Sequence, residues 1–259
     1  MTATVARAGA DTWTIARRDL LHWRRQPAAV LVGWLFPVLV LLMFSYLVGG
    51  AIEVPGDYLD YLVPGVLGLT VVFGLETTMT AVASDAASGT TDRFRSLPIA
   101  RSAVVAGRCV ADLLSSAVGL AVLVACCLAL GWRPGGWLAG AAALLLLLRV
   151  AVLWLGIWLG LVVRGPESVV AVQILVWPLA FLSGTFVPPS SMPGWLGAVA
   201  EWNPLTATVA AVRELTGGAA AAGTSWAAQH PVLLAVVWPL ALTAVFAPLA
   251  VRRYARLSR

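Results

Sequence analysis

Six long apolar stretches, separated by charged connections, constrain this chain more than any other feature of its sequence. A helix that crosses the hydrocarbon core of a bilayer needs about 20 mainly apolar residues. Because lipid offers no partner for backbone N–H and C=O groups, such a stretch folds as an α-helix. We therefore predict an all-α polytopic membrane protein in which residues 1–259 form one transmembrane domain. The predicted spans are 28–50, 61–83, 103–130, 137–163, 168–187 and 231–251.

The composition excludes the soluble classes of protein. Hydrophobic residues make up 60% of the chain and charged residues 11%, whereas soluble domains average about 45–50% and about 25%. A chain this apolar cannot cover itself with polar surface, which excludes a soluble enzyme, a disordered chain and a secreted disulfide scaffold. Cys109, Cys126 and Cys127 lie in one apolar stretch. We interpret them as small membrane-helix residues and expect no metal site there.

The basic residues exclude several kinds of chemistry. All 17 are arginine, so the chain lacks the lysine that a phosphate-binding P-loop requires. The two histidines, His22 and His230, are predicted on opposite sides of the membrane, and the sequence has no HExxH, GxSxG or paired-carboxylate motif. We therefore expect that this chain is not an enzyme by itself and binds no cofactor of its own.

The distribution of arginine predicts the orientation of the chain. Thirteen of the 17 arginines lie in the N-terminal segment, the second and fourth connections and the C-terminal tail, and Arg108 lies just inside the third span on the same side. The other side holds Arg133 and Arg213 together with five acidic residues. Because cytoplasmic connections are enriched in Lys and Arg, both termini are predicted in the cytoplasm. The basic pI near 9.7 is then explained by contact with membrane lipid, and no nucleic-acid partner is expected.

Residues 12–26 predict an elbow helix that lies in the inner membrane interface. Apolar side chains recur at helical spacing between Trp13 and Trp23. Arg18 lies opposite that face and Arg17 borders it, as expected for an amphipathic interfacial helix. The alternative is a simple arginine-rich flank of the first span.

The connection 84–102 predicts a short cytosolic helix. Phe94 and Leu97 share one helical face at i, i+3, and Arg93 and Arg95 flank it. An apolar knob between charges suits docking into a groove of a partner protein. The alternative, in which the two apolar side chains dip into the membrane interface, fits the residues equally well.

The outer connection predicts structure within residues 188–217. Pro193 marks the start of one short helix. The Asn-Pro pair at 203–204 supplies an N-cap and a first residue for a second helix, which Gly217 can end. Both helices are too short to span, so we expect a re-entrant segment whose backbone is buried in protein.

Besides Arg108 near the start of the third span, three charged residues lie inside predicted spans, namely Glu76, Asp112 and Arg149. Intramembrane charges face a partner, a cavity or a transport path. The alternatives are therefore a path or proton-relay residue, an interhelical pair, or a side chain near a helix end that snorkels to the interface. For Asp112 a local pair with Arg108, four residues before it, is favoured. Glu76 is the best single candidate for a buried pair or a path residue. The small-residue patterns GWLAG and GIWLG predict close helix approach.

Four segments of the chain, in order, resemble the ABC-2 type permease family, in particular its bacterial daunorubicin/doxorubicin-resistance-like branch. IARRDLLHWRRQPAAVLVGWLFPVLVLLMF resembles the elbow and first span of that family, and YLVPGVL resembles the opening of its second span. GTTDRFRSLPIARSAVVAGRCVADLL resembles its first cytosolic loop. FLSGTFVPPSSMPGWLGAVAEWNPLTATVAAVREL resembles the end of its fifth span and its re-entrant segment.

The resemblance implies one half of an ATP-driven exporter in the bacterial cytoplasmic membrane. A second permease half, an identical copy or a related permease, would complete the path. Two copies of a separate ATPase subunit would bind ATP and Mg and dock on the cytosolic face. The residues implied in ATPase coupling are Asp92, Arg93, Phe94, Arg95, Leu97, Arg17 and Arg18. The residues implied in the substrate path are Val72, Phe73, Glu76, Val176, Phe181 and Phe186.

Two other functional classes remain open, and the cargo is undecided between an amphipathic drug or antibiotic and a lipid. One class is an ion-coupled secondary transporter that uses Glu76, Asp112 and Arg149 as a relay. Such carriers often have paired broken helices in two repeated halves, whereas the re-entrant pattern occurs once here. The other class is a non-transporting membrane anchor subunit. Dependence on ATP would distinguish the exporter from both.

Overall fold

A computed structural model describes residues 27–48, 57–88, 101–163, 165–218 and 225–256, and these ranges contain helices and turns but no strand. The helices, numbered here in chain order, are α1 Pro27–Met43, α2 Tyr58–Ala87, α3 Arg101–Ala129, α4 Leu138–Val162, α5 Gly165–Phe181, α6 Gly194–Glu201, α7 Pro204–Leu215, α8 Trp226–Gln229 and α9 Pro231–Arg256. A π-helical turn, Phe44–Val48, continues α1, and a 3₁₀ turn, Pro189–Ser191, precedes α6.

Each predicted span coincides with a helix, although the helices differ in length. Within the described residues, α2, α3, α4 and α9 are long and apolar enough to cross a membrane. Helices α1 and α5 have 17 residues each. The prediction that the fifth span continues to residue 187 is wrong, because α5 ends at Phe181. The side chain of Ser183 donates to the carbonyl of Ala180 at 2.6 Å, a local bond that competes with continuation of the helix.

Helices α2 and α4 form the centre of the bundle. They pack against each other, and α4 also packs along α9. The GIWLG pattern of α4 lies at this contact, as predicted: a Cβ atom at Gly160 would lie 2.7 Å from the carbonyl oxygen of Met79 on α2. Absence of a side chain there lets the two backbones approach closely.

The two short helices predicted in the outer connection are present. Asn203 caps α7 by accepting a hydrogen bond from the Leu205 N–H at 2.9 Å. Pro204 is the first residue of the helix, and Gly217 follows its end with φ of +87°. Helix α7 packs against α2, α4 and α9, and most of its residues are buried. The condition for a re-entrant segment, a backbone buried in protein, is therefore met for α7.

Contacts between connections define the two ends of the bundle. At one end the N–H of Trp137 donates to the carbonyl of Leu215 at 2.7 Å, so that α4 begins against the end of α7. We call this the capped end. At the other end Arg253 donates to the carbonyl of Leu161 at 3.4 Å, and the end of α2 meets the start of α3. We call this the basic end.

Two predicted segments lie largely outside the described residues. The elbow helix, with Arg17 and Arg18, is one of them. The other is the middle of the coupling loop, which contains Asp92, Arg93, Phe94, Arg95 and Leu97. Of that loop, residues 84–88 complete the end of α2 and residues 101–102 begin α3.

Candidate functional site

A buried arginine joins helices α2, α3 and α4. Arg149 of α4 is 2% exposed. Its Nε donates to Ser116 Oγ of α3 at 2.7 Å, and its Nη2 donates to Thr78 Oγ1 of α2 at 2.9 Å. Thr78 Oγ1 donates in turn to Asp112 Oδ2 of α3 at 2.9 Å. The Thr78 hydroxyl therefore connects the guanidinium of Arg149 to the carboxylate of Asp112. This arrangement agrees with the interpretation of these two residues as an interhelical pair.

Helix α2 accommodates the guanidinium with a glycine. A Cβ atom at Gly74 would lie 2.7 Å from Arg149 Nη1 and 2.8 Å from its Cζ. A larger residue at this position would push the guanidinium away from α2. Nη1 itself has no hydrogen-bond partner among the described residues.

A cavity of about 520 Å³ lies between α1, α2 and α3, with Arg149 on its inner wall. We call it the polar groove. Along α2 its lining extends from Thr70 to Asp85, a rise of about 22 Å at 1.5 Å per residue. It begins near the basic end and reaches into the bundle. The hydroxyl groups in its lining belong to Thr70, Thr77, Ser84, Ser115 and Ser116.

The predicted local pair between Arg108 and Asp112 is wrong. Arg108 forms an ion pair with Asp85, at the end of α2. Asp112 instead accepts from Thr78. The four-residue spacing on α3 therefore does not decide the pairing. Helix α2 provides the partner of each charged side chain, Asp85 for Arg108 and Thr78 for Asp112.

Glu76 lies on the opposite side of α2 from Arg149. Residues two apart on a helix do not face each other, and Thr78 is the residue that contacts the guanidinium. Glu76 shares its face with Thr80, which accepts a hydrogen bond of 3.5 Å from Gln173 of α5. Its Oε1 is buried and has no partner among the described residues. The structure thus brings Asp112 and Arg149 together but separates Glu76 from them.

Aromatic rings form a continuous series between α1, α2 and α5. Phe73 of α2 contacts Trp177 of α5 with centroids 4.7 Å apart, and Phe36 of α1 lies 5.8 Å from Phe73. Trp177 stacks on Phe181, and Phe181 stacks at 5.3 Å on Phe186. We call this series, completed by Phe44 against Phe186 at 4.1 Å, the aromatic ladder. It contains Phe36, Phe44, Phe73, Trp177, Phe181 and Phe186.

The aromatic ladder is partly open to the surroundings of the chain. Phe36 is 39% exposed, Trp177 38% and Phe181 45%, whereas Phe186 is 6% exposed. A large apolar surface of this kind marks a place where lipid, a ligand or another protein binds. Three of the predicted path residues, Phe73, Phe181 and Phe186, belong to it.

The remaining apolar path residues line a second cavity. Val72 of α2 and Val176 of α5 face an apolar groove of about 790 Å³, which also reaches Trp202 between α6 and α7. The predicted path residues therefore lie along the junction of α2 and α5, and Phe73 also lines the polar groove. Their role in transport stays a prediction.

Sequence reasoning missed an arginine that joins three elements at the capped end. Arg213 of α7 is 2% exposed. Its Nε and Nη2 donate to the carbonyl of Tyr61 at 3.1 and 3.0 Å, and Nη2 also donates to the carbonyl of Gly184 at 3.2 Å. The guanidinium lies 3.9 Å from the centre of the Tyr61 ring. We call this the Arg213 clamp. The sequence did offer a sign of this role. Arg213 is one of only two arginines predicted on the outer side, and it lies in a helix too short to span the membrane.

The clamp joins segments that are far apart in the sequence. The Tyr61 hydroxyl donates to the carbonyl of Gly184 at 3.2 Å, and the N–H of Gly184 donates to Thr206 Oγ1 at 3.2 Å. Asn203 adds a bond of 2.9 Å to the carbonyl of Leu179 at the end of α5. The motifs YLVPGVL, SGTF and NPLT thus form one packed unit at the capped end.

Four helices of the described residues are long and apolar enough to span a membrane, and the bundle encloses a charged network. These features define a polytopic integral membrane protein. Residues 10–216 match the ABC-2 type transporter family. This match covers most of the chain, which therefore belongs to the ABC-2 type transporter family and is a permease of that type.

Two relatives support the assignment. The chain is 37% identical over 256 residues to the daunorubicin resistance ABC transporter permease protein DrrB1 of Streptomyces coeruleorubidus. The aligned region covers 96% of this chain and 88% of that protein. It is 25% identical over 213 residues to a protein described as a transport permease, ycf38, of Cyanophora paradoxa. The aligned region covers 79% of this chain and 73% of that protein.

Proposed function

We propose that this chain is the membrane-spanning subunit of an ATP-binding-cassette exporter. It moves an amphipathic drug, antibiotic or lipid-like molecule outward across the bacterial cytoplasmic membrane. The observation that carries this proposal is the aromatic ladder, a partly exposed series of rings along the junction of α2 and α5. Such a surface suits an apolar, ring-containing cargo, since aromatic pairs attract each other beyond the burial of their area. The drug-resistance relative at 37% identity supports the same class of cargo.

The proposal includes six spans with both termini in the cytoplasm. Helices α1 and α5 complete the set of spans as its shorter members, and the arginine-rich basic end faces the cytoplasm. The capped end, with α6 and α7, then faces outward. Shorter helices are compatible with spanning where tilt, local thinning of the bilayer or flanking residues make up the difference.

Energy for transport comes from partner subunits in this proposal. Two ATPase subunits bind ATP and Mg at the cytosolic face, and a second permease half, a copy of this chain or a related permease, completes the path. Phe94 and Leu97 form the knob that docks on the ATPase, with Asp92, Arg93 and Arg95 around it and Arg17 and Arg18 on the elbow nearby. Movement of the ATPases shifts these segments as rigid bodies and rearranges the spans.

The substrate path follows the junction of α2 and α5. Val72 and Val176 contribute the apolar groove, and Phe73, Phe181 and Phe186 contribute the aromatic ladder. Glu76 supplies one buried polar atom on the same side of α2. An apolar surface with few polar groups is typical of small-molecule sites.

The relay of an ion-coupled carrier has less support. It needs Glu76, Asp112 and Arg149 in one connected series, whereas Glu76 lies on the other face of α2. Asp112 and Arg149 already satisfy each other through Thr78. The anchor-subunit alternative has no observation of its own in its favour.

The experiment is ATP-driven transport by the chain purified together with its native ATPase and reconstituted in vesicles. Daunorubicin and a fluorescent phosphatidylcholine are the two cargo probes. We expect transport of at least one probe to require ATP and to be lost in Phe94→Asp, because a charge on the knob prevents docking.

Ser96→Asp is the matched control. It adds the same charge in the same loop but lies off the helical face that the sequence predicts for Phe94 and Leu97. We expect it to retain transport and ATPase co-purification. Transport that proceeds without ATP, or that survives Phe94→Asp unchanged, contradicts the proposal.

A further inference from the structure

The polar groove holds a buried donor that the bundle does not satisfy. Arg149 is 2% exposed, and its Nη1 has no hydrogen-bond partner among the described residues. Its other nitrogens are committed to Ser116 and Thr78. Buried polar groups in native proteins are nearly always paired, and a charged donor in hydrocarbon is especially costly to leave alone. Since Arg149 is among the residues that line the groove, its unpaired nitrogen is a candidate donor for an acceptor that binds there.

The charges around the groove indicate what kind of acceptor fits. Arg108 is ion-paired with Asp85, and Asp112 balances Arg149 through Thr78. The formal charges of these lining residues therefore cancel. A free anion would bring a charge with no counterpart, and a cation would compete with Arg108 for Asp85 and with the Thr78 hydroxyl for Asp112. A neutral oxygen, such as a carbonyl, hydroxyl or ether, can accept from Nη1 without changing this balance.

The shape and lining of the groove indicate the rest of the ligand. Its volume of about 520 Å³ lies within the roughly 300–1,000 Å³ of small-molecule sites. Thr77 and Ser115 place further hydroxyl groups on its wall. Phe36 and Phe73 also line it, and both belong to the aromatic ladder. A ligand that fills the groove therefore combines an oxygen-bearing end with a flat apolar body.

We propose that the polar groove binds uncharged, oxygen-bearing aromatic molecules, with Arg149 Nη1 donating to the oxygen and Phe36 and Phe73 contacting the ring system. The conclusion that such molecules are the cargo rests on the exporter function proposed above. The conclusion that the groove binds them depends only on the residues of the groove. Gly74 is the positioning residue, since its lack of a side chain keeps the guanidinium against α2.

Two matched probes test this site without any ATPase. Titrations of 1-acetylpyrene and 1-ethylpyrene, which differ in one carbonyl oxygen, are followed by energy transfer from tryptophan in the full chain held in lipid nanodiscs. Empty nanodiscs correct for partition into lipid. We expect the chain to bind 1-acetylpyrene about tenfold more tightly, the ratio given by one hydrogen bond to a charged donor.

Three variants assign the ratio to Arg149. Arg149→Gln removes the donor, and Gly74→Ala displaces it without removing any charged residue. Both should bring the ratio of the two affinities close to one. Gly194→Ala is the matched control, because a Cβ atom there meets nothing within 4 Å, and it should keep the ratio of the parent chain. If Arg149→Gln does not elute as a single folded species, Gly74→Ala decides.

A ratio of affinities near one in the parent chain overturns the proposal, because the carbonyl oxygen of the probe then gains no hydrogen bond from Arg149 Nη1. A tenfold ratio that persists in Gly74→Ala overturns it as well. Neither result bears on the exporter, whose failure would instead appear as transport that does not depend on ATP.

Discussion

Replacement of Arg213 by methionine should loosen the capped end and lower the stability of the whole bundle. Methionine fills a similar volume but donates no hydrogen bond. The carbonyl of Tyr61 then loses two donors, at 3.1 and 3.0 Å, and the carbonyl of Gly184 loses one at 3.2 Å. Gly184 keeps the Tyr61 hydroxyl as a partner, so the loss is smaller than the number of contacts suggests.

The expected size of the effect is about 3 kcal/mol of unfolding free energy. A hydrogen bond from a charged group contributes about 1.5–3 kcal/mol, and a desolvated cation–π contact contributes about 2 kcal/mol. Part of this gain is offset, because methionine avoids the cost of burying a charge. For a chain of this size 1 kcal/mol corresponds to about 2–4 °C in Tm, so Tm should fall by about 6–12 °C.

The assay is thermal unfolding in detergent at a fixed scan rate, with the fraction of monodisperse protein as the readout. Arg133→Met is the matched control, because Arg133 lies at the same end but is exposed and donates to the carbonyls of Leu128 and Trp132. Its Tm should change by less than about 2 °C, as is usual for surface substitutions. Equal Tm values for the two variants would refute the reasoning that the clamp holds α2, α5 and α7 together.

Other substitutions test the remaining contacts. Gly160→Ala should lower the unfolding free energy by about 1–3 kcal/mol, since overpacking forces the backbones apart; the same change at Gly194 should have little effect on Tm. Asp112→Asn should destabilise by about 3–5 kcal/mol, because it leaves the Arg149 charge without its counterpart; an unchanged Tm would argue against the network. Trp177→Leu should reduce transport of daunorubicin more than transport of a fluorescent lipid, whereas the same change at exposed Trp195 should alter neither rate.

Local chemistry explains the parts of the fold that could be predicted from sequence. The cap at Asn203, the proline after it and the glycine at 217 act within a few residues, so α7 was placed correctly. The end of α5 was missed, because the turn after Phe181 depends on small polar residues whose bonds are formed in the folded context.

The candidate sites depended on contacts that spacing alone does not encode. Arg108 was assigned to Asp112 from its position on the same helix, but the folded bundle places Asp85 closer. Trp177, which joins Phe73 to Phe181 in the aromatic ladder, was not singled out, although its four-residue spacing from Phe181 puts both on one face of α5. The elbow and the coupling knob stay predictions.

The sequence by itself determined the class of this protein, its helices and its family, because the length of apolar stretches, helix caps and family motifs are local properties of the chain. Tertiary structure alone decided which faces meet. Helices such as α2 and α4 carry apolar residues on every side, so no periodic pattern tells which face turns inward. Their rotation placed Arg149 against Gly74 and Glu76 on the opposite side of α2, and that rotation separates Glu76 from the Arg149 network.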